Sequence, residues 1–213
     1  MSELFLPKKF YNTNKEDPTL YYRLPLIGWI YRKRLVNTLV LAVGGVNKLL
    51  DIGYGSGLLF PSLLKKADIC YGLESHGNEE LVKKMLKEAS VTDEKVVLKA
   101  GSILDIPWDD SFFDELVSVS TLEHIPELDK AMSEMSRVLK GDGMAVLSFP
   151  VRNLITDFFY RLVGFNPRKL HPSSHRDIIS AAEKYFKIEK ILLFPSFFSL
   201  DLSVYCTIRC RKK

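Results

Sequence analysis

The stretch that most constrains this chain is Leu49 to Gly57, LLDIGYGSG, which joins a short apolar run to an acid and three glycines on alternate positions. Leu49, Leu50 and Ile52 have the character of a buried strand, and Gly53, Gly55 and Gly57 let the backbone turn sharply and lie against a ligand with no Cβ in the way. Taken alone, a glycine triplet also fits an ordinary turn between a strand and a helix, so its meaning rests on the residues C-terminal to it.

Those residues show a repeated alternation. Leu58, Leu59, Leu63 and Leu64 predict a helix, Ile69 to Glu74 a strand, and Leu81, Val82, Met85, Leu86 and Ala89 an amphipathic helix. Val96 to Ala100 and Leu116 to Ser120 read as further strands. Leu128, Ala131, Met132, Met135, Val138 and Leu139 mark a helix, with Gly141 and Gly143 placed to close it and a fifth strand at Met144 to Phe149. Strands that alternate with helices and are apolar on both faces imply a parallel sheet covered on both sides. In such sheets ligands bind at the carboxyl edge, where the strand order reverses, and the glycine loop falls at that edge.

The rhythm changes toward the C-terminus. Leu154 to Val163 is expected to be an apolar helix and Asn166 to Arg176 a loop bearing Pro and His, after which Asp177 is expected to cap a helix through Phe186. Ile188 to Phe194 and Leu202 to Cys210 then read as strands with no helix between them, hence antiparallel neighbours. At the other end, Leu20 to Val43 carries Tyr21, Tyr22, Trp29 and Tyr31 around Arg32, Lys33 and Arg34 and is read as one or two helices. Packing of this face on the core or in a lid is preferred to contact with a membrane surface.

The chain has 213 residues, 46% of them hydrophobic, enough for one substantial core, and is read as one domain over 1–213. Its parts are an N-terminal helical extension or lid (1–47), a ligand-binding core (48–150), a substrate-side insertion (151–187) and a C-terminal hairpin (188–213). The formal charge of +4 is a mild excess, gathered at the two ends and read as a solvated rim. Cys70, Cys206 and Cys210 are too few and too scattered for a disulfide framework or a zinc site, which fits a reducing cytoplasm. No cleavable leader is recognised, and the longest apolar run, Leu35 to Val46, is interrupted by Asn37 and falls short of the roughly 20 residues that span a bilayer.

Glu74 ends the second strand, twenty-three residues after Asp51, where an acid can accept hydrogen bonds from both hydroxyls of a ribose. A dinucleotide fingerprint would place its third glycine at 58, but position 58 is Leu and the third glycine is Gly57. At this point the chain resembles the class I S-adenosylmethionine-dependent methyltransferases of the small-molecule, methyltransferase-11 type. The resemblance covers about residues 47 to 150 and lies in LLDIGYGSG, the GLES strand end, GSILDIPWDDSFFDELVSVSTLEHI and AMSEMSRVLKGDGMAVLS. It implies a Rossmann-like, doubly wound, seven-stranded α/β sheet, mostly parallel with one antiparallel C-terminal strand, and S-adenosylmethionine as cofactor.

By the same resemblance Asp51, Gly53, Tyr54, Gly55 and Gly57 would surround the methionine part of the cofactor. Glu74 and Ser75 would take the ribose, Ser102 and Ile103 the adenine, and Ser120 and Thr121, in the run Ser120 to His124, would face the methyl group. Ser102 stands where most relatives have an acid for the adenine amino group. LEHIP resembles relatives in which that Glu and His help to bind a metal, but Ser120 replaces their further acid, and no metal is assigned. If the acceptor must lose a proton, His124, His171 and His175 are the candidate bases, with Tyr160 behind them.

The acceptor is expected to be a small, apolar or aromatic molecule, in some cases with an anionic group, held by the N-terminal segment and by Val151 to Arg176 with Phe158, Phe159, Tyr160, Arg161, Arg168 and Lys169. The Asn-Pro-Pro-Tyr signature of adenine and glutamine-amide methylases is absent after the fourth strand, so DNA is not expected and RNA is disfavoured. Two other readings remain open: a non-catalytic scaffold that keeps the cofactor fold, and a nicotinamide-dependent reductase, which the glycine spacing and the terminal hairpin oppose.

Overall fold

The computed structural model describes residues 4–6, 22, 25–77, 79–153, 156–157 and 171–213, at 25–27 and 93 for the backbone alone. Seven strands, β1 (Val46–Ile52), β2 (Ala67–Glu74), β3 (Val96–Ala100), β4 (Phe113–Val119), β5 (Leu139–Pro150), β6 (Phe186–Phe194) and β7 (Tyr205–Lys212), form one sheet in the order β3-β2-β1-β4-β5-β7-β6. The first five named run parallel to one another, and β7 is antiparallel to both β5 and β6. The order reverses between β1 and β4, so that switch point opens at the ends of Ile52 and Val119.

Alternation along β1 sorts the core into two layers. Leu50 and Ile52 pack with Ala131, Met132, Met135 and Val138 of α4 (Leu128–Val138) and with Ile178 and Ala182 of α5 (His175–Tyr185). Leu49 packs on the opposite face with Leu35 and Leu39 of α1 (Pro25–Leu41), Phe60 and Leu63 of α2 (Phe60–Leu63), and Val82, Met85 and Leu86 of α3 (Glu79–Glu88). Buried positions at i, i+3, i+4 and i+7 explain why α4 folds as it does. Within the N-terminal extension, α1 therefore contributes a full member of a helical layer, with Leu35, Leu39 and Thr38 at most 3% exposed.

Four local expectations are corrected. The helix after the glycine loop is a single turn, because Pro61 sits at its start and only fourteen residues separate β1 from β2. Gly141 and Gly143 do not close α4: its last carbonyls, of Arg137 and Val138, accept instead from Ser111 and Phe112 at 2.9 and 2.8 Å, and β5 begins at Leu139. Asp177 is not the cap of α5. Ser174 is, and Asp177 is its reciprocal partner, receiving the Ser174 backbone N–H at 2.9 Å. Leu200–Leu202 forms a 3-10 turn, so β7 starts at Tyr205. Of the expected apolar helix over 154–163 only residues 156 and 157 are described, both helical, and the side chains of Phe158 to Lys169 lie outside the described residues.

Candidate functional site

The site is assembled from strand ends. Beyond β1 the chain takes a left-handed turn at Gly53 (φ 74°), whose N–H donates to Leu73 O at 2.8 Å. A Cβ on Gly53 would come within 2.1 Å of Thr121 Oγ1, so the missing side chain lets the loops after β1 and β4 close on each other. Thr121 Oγ1 donates to Ile52 O at 3.2 Å, and Ser118 Oγ donates to the same carbonyl at 3.2 Å. Gly55 (φ 52°) is different in kind: an added Cβ there would meet nothing within 4 Å, so its backbone faces open space. Tyr54 turns its ring inward against Phe60, with centroids 5.6 Å apart, which leaves only its main chain on the loop. Gly57 N–H closes the turn on Tyr54 O at 2.8 Å.

Glu74 reaches this loop from β2. Its Oε2 accepts from Gly55 N–H at 3.0 Å, and its Oε1 accepts from Ser75 N–H at 2.8 Å and from Ser75 Oγ at 3.1 Å. A carboxylate has about four acceptor positions. A ligand bringing two hydroxyls fits once the exposed Ser75 hydroxyl turns away. Asp51, one strand inward, is 2% exposed, and burial, helped by the nearby Glu74, pushes its carboxyl up to about 8. At the end of β3, Gly101 N–H donates to Glu74 O at 3.1 Å, which seats the Ser102 turn beside the acid. Ser102 Oγ accepts from Leu104 N–H at 3.1 Å and thus caps its own turn, while Ile103 is buried against the α4 layer. Asp105, bridged to Ser102 across that turn and exposed, is a rim acid that sequence reasoning passed over, although it is visible in GSILDIP.

The end of β4 carries the densest polar cluster. Ser120 adopts φ 55°, uncommon for a residue with a side chain, and its N–H donates to Ser148 O at 2.8 Å. Its hydroxyl accepts from Arg34 Nη1 at 2.7 Å and lies 2.6 Å from the Tyr205 hydroxyl, which itself donates to Ser148 O at 3.1 Å. Arg34 Nη2 donates to Tyr22 Oη at 3.0 Å, and the guanidinium lies 4.5 Å from the Tyr31 ring centroid. Burial pushes the Tyr205 phenol well above its ordinary value, so it stays neutral. Neither Arg34 nor Tyr205 was legible as a site residue; the RKR cluster looks like a charged rim until α1 is packed.

Glu123 is 2% exposed, and its Oε2 is buried without a hydrogen-bond partner among the described residues. Burial raises its pKa, against the opposing pull of His124 and Arg34. The 171–175 segment docks here: Ser173 N–H donates to Glu123 O at 3.2 Å and Ser173 Oγ to Ile125 O at 2.6 Å. The rings of His124 and His171 meet edge to face at 5.1 Å. His171 is pushed down to about 4, chiefly by burial and then by His124, so it is neutral near pH 7 and a weak base. Glu123, His124 and His171 each offer a ligand atom within 4.8 Å of the others, a donor set able to hold a divalent cation.

His175 is placed apart from this pair. Its Nδ1 accepts from Arg152 N–H at 3.2 Å and its Nε2 faces Asp201 Oδ1 at 3.3 Å, so both ring nitrogens serve to hold the start of α5 and the β6–β7 connection. His175 is thus not brought together with His124 and His171. Tyr160 lies outside the described residues.

Residues 50–147 match the model of a methyltransferase domain family. Among curated proteins, the chain is 32% identical over 158 residues to a ubiquinone/menaquinone biosynthesis C-methyltransferase of Rickettsia massiliae, covering 70% of this chain and 62% of that protein. It is also 32% identical over 108 residues to ajmaline N-methyltransferase of Rauvolfia serpentina, covering 50% of this chain and 37% of that one. The chain thus spans less than two thirds of the length of these relatives. Among solved structures, the N-methyltransferase NodS of Bradyrhizobium japonicum, in complex with S-adenosyl-l-homocysteine, shares the fold with a TM-score of 0.64 at 18% identity, over 85% of this chain and 86% of that one. The [4+2]-cyclase SpnF shares it equally, with a TM-score of 0.64 at 17% identity over 84% of this chain and 80% of that one. The glycine loop and the acid at the end of β2 lie within the stretch that is similar to methyltransferase domains, and the 3-2-1-4-5-7-6 sheet is the fold shared with these solved structures.

Proposed function

We propose that this protein transfers a methyl group from S-adenosylmethionine to a small acceptor of apolar or aromatic character. The observation that carries the reading is the convergence, at the β1/β4 switch point, of an open glycine backbone at Gly55, the Glu74 carboxylate beside it and the Ser120–Thr121 turn opposite. The residues fit the cofactor: Gly55 leaves the main chain bare, Glu74 suits ribose hydroxyls, and a buried Asp51 suits a cationic methionine moiety. Bound there, the cofactor supplies a sulfonium carbon already activated for in-line displacement.

The task of the chain is then alignment and exclusion of water, which can lower a barrier by roughly 7 to 11 kcal/mol. Ser120, fixed by Arg34, Tyr205 and Ser148, forms a firm wall for the reacting groups. Where the acceptor must lose a proton, His124, its ring packed edge to face on the neutral His171, is the group to receive it. The relatives include a C-methyltransferase and an N-methyltransferase, and the acceptor atom is left open by their variety.

Calorimetry with S-adenosylmethionine, its demethylated product and NADH tests the cofactor, and labelled methyl donor with metabolite extracts tests turnover. Glu74→Ala is expected to weaken cofactor binding by about 1 to 3 kcal/mol. Unchanged affinity would remove the ribose assignment, and tight product binding with no transfer to any acceptor would favour the scaffold reading.

A further inference from the structure

The connection between β6 and β7 combines two properties that rarely occur together in a surface loop. Its base is fastened by buried or paired polar groups: Val204 N–H donates to Phe194 O at 2.7 Å, Asn153 Nδ2 to Ser203 O at 2.9 Å, and Arg176 Nη2 to Asp201 Oδ2 at 2.9 Å. Its outer part is apolar and exposed, with Phe197 80%, Phe198 41% and Leu202 51% accessible, and the two phenylalanine rings lie 4.4 Å apart. A loop held this firmly could have turned these side chains inward. They remain in water, which singly placed apolar residues do without consequence but a contiguous group does at a cost.

The position is equally informative. Because β6 runs parallel to β1, the loop leaves the same carboxyl edge of the sheet as the glycine loop, and Tyr205, which ends it, reaches Ser120 in the site. Trp29, 51% exposed on α1, stacks edge-on against Phe194 at the loop base, centroids 4.7 Å apart. Arg32 and Lys33 follow Trp29 by three and four residues and so share its face of the helix. The one acid on the loop, Asp201, is already paired with Arg176. An exposed indole at the base of a loop that carries bare phenylalanines, with Lys33 and Arg32, the latter also donating to Tyr22 O at 2.6 Å, on its helix face, is the composition of a surface that sits at a headgroup boundary.

We infer that Phe197, Phe198, Leu202 and Trp29, with Arg32 and Lys33, form a docking surface for an anionic lipid bilayer, set beside the mouth of the cofactor site. A second copy of the chain is the poorer occupant, since the same loop on that copy brings no unpaired acid to meet Arg32 and Lys33, its Asp201 being paired with Arg176. The aromatic residues supply apolar burial, and the cations supply a long-range attraction that salt screens.

The test is co-sedimentation of the full chain with vesicles of phosphatidylcholine, with and without phosphatidylglycerol, alongside Phe197→Ser/Phe198→Ser and Phe197→Asp/Phe198→Asp double variants. The wild type is expected to partition onto the anionic vesicles and to be released by salt. Both double variants are expected to lose about tenfold or more in partitioning, with unchanged thermal midpoints because both side chains are exposed. Absence of wild-type binding, or binding that both variants retain, overturns the inference. So does light scattering that shows a dimer in solution dissociated by the same substitutions, which would assign the surface to a second copy.

Discussion

Replacing Asp51 by Asn should abolish two proton linkages of opposite sign. In the unfolded chain Asp51 titrates near 3.8, whereas in the folded, ligand-free protein burial and then Glu74 raise it to about 8. Between those values the folded state holds one more proton than the unfolded state. Asp51 therefore adds stability that is complete below its unfolded pKa and is lost as pH rises through about 8. At about 1.4 kcal/mol per unit, the loss from about pH 6 to about pH 8 is on the order of 2 kcal/mol, or roughly 4 to 8 °C in Tm. Cofactor binding runs the other way. The methionine end of S-adenosylmethionine brings a sulfonium and an ammonium, which favour the ionised carboxylate, so binding near neutral pH should release a proton and affinity should rise toward pH 8.

Titration calorimetry in buffers of different ionisation enthalpy counts that proton, and melting curves across the same range read the stability. Asp51→Asn, compared with wild type, should flatten both slopes at once, which assigns both to this carboxyl. Proton uptake on binding, or a ligand-free wild type that gains stability over the variant as pH rises, would refute the reasoning.

Gly53→Ala combines a left-handed backbone costing about 1 to 2 kcal/mol with overpacking against Thr121 of about 1 to 3 kcal/mol. Urea denaturation should show the sum, and a second change, Thr121→Ala, should return the packing part alone. His175→Ala should destabilise by about 2 to 4 kcal/mol by emptying a buried site and leaving Arg152 N–H unpaired, while cofactor affinity measured on the folded fraction stays at the wild-type value. Arg34→Met should lower the rate of methyl transfer more than it weakens cofactor binding, because Arg34 acts on Ser120 and not on Glu74; equal loss of both in single-turnover and binding assays would contradict that placement.

How much of this was legible in the sequence depends on how far apart the cooperating residues lie. Asp51, Gly53, Gly55 and Glu74 work across one strand pair, β1 with β2, and the spacing of a βα unit already fixes where they go. The amphipathic repeats of α3 and α4 are local in the same sense. The failures were also local, but competed with tertiary partners: α4 ends without glycine because the chain leading into β4 takes its carbonyls, and Ser174 outranks Asp177 because the capping box needs both. Arg34 meets Ser120 across 86 residues and Tyr205 meets it across 85, and no pattern in the chain announces either contact. His171 was a candidate by residue type alone; its pairing with His124 needed the fold. His175 shows the converse, since the fold sets it against Arg152 and Asp201 and not beside the other two histidines.

That distribution bears on why likeness to methyltransferases speaks more to the cofactor than to the acceptor. The stretch matching the family, residues 50–147, contains Asp51, the glycine loop, Glu74 and the Ser102 turn. Groups that reach Ser120 and His124 come from outside it: Arg34, itself held by Tyr22, from the N-terminal segment, His171 from the segment before α5, and Tyr205 from β7. Under the proposed function, the shared geometry of a sheet edge holds the donor, and flanking elements whose sequences answer to other constraints shape the space where the acceptor enters. The exposed aromatic loop belongs to the same flanks, being rooted at Tyr205 and braced by His175 through Asp201. A change in that loop is therefore positioned to alter access of the acceptor through Tyr205 and Ser120 while Glu74 and Gly55, on the far side of the switch point, remain in place.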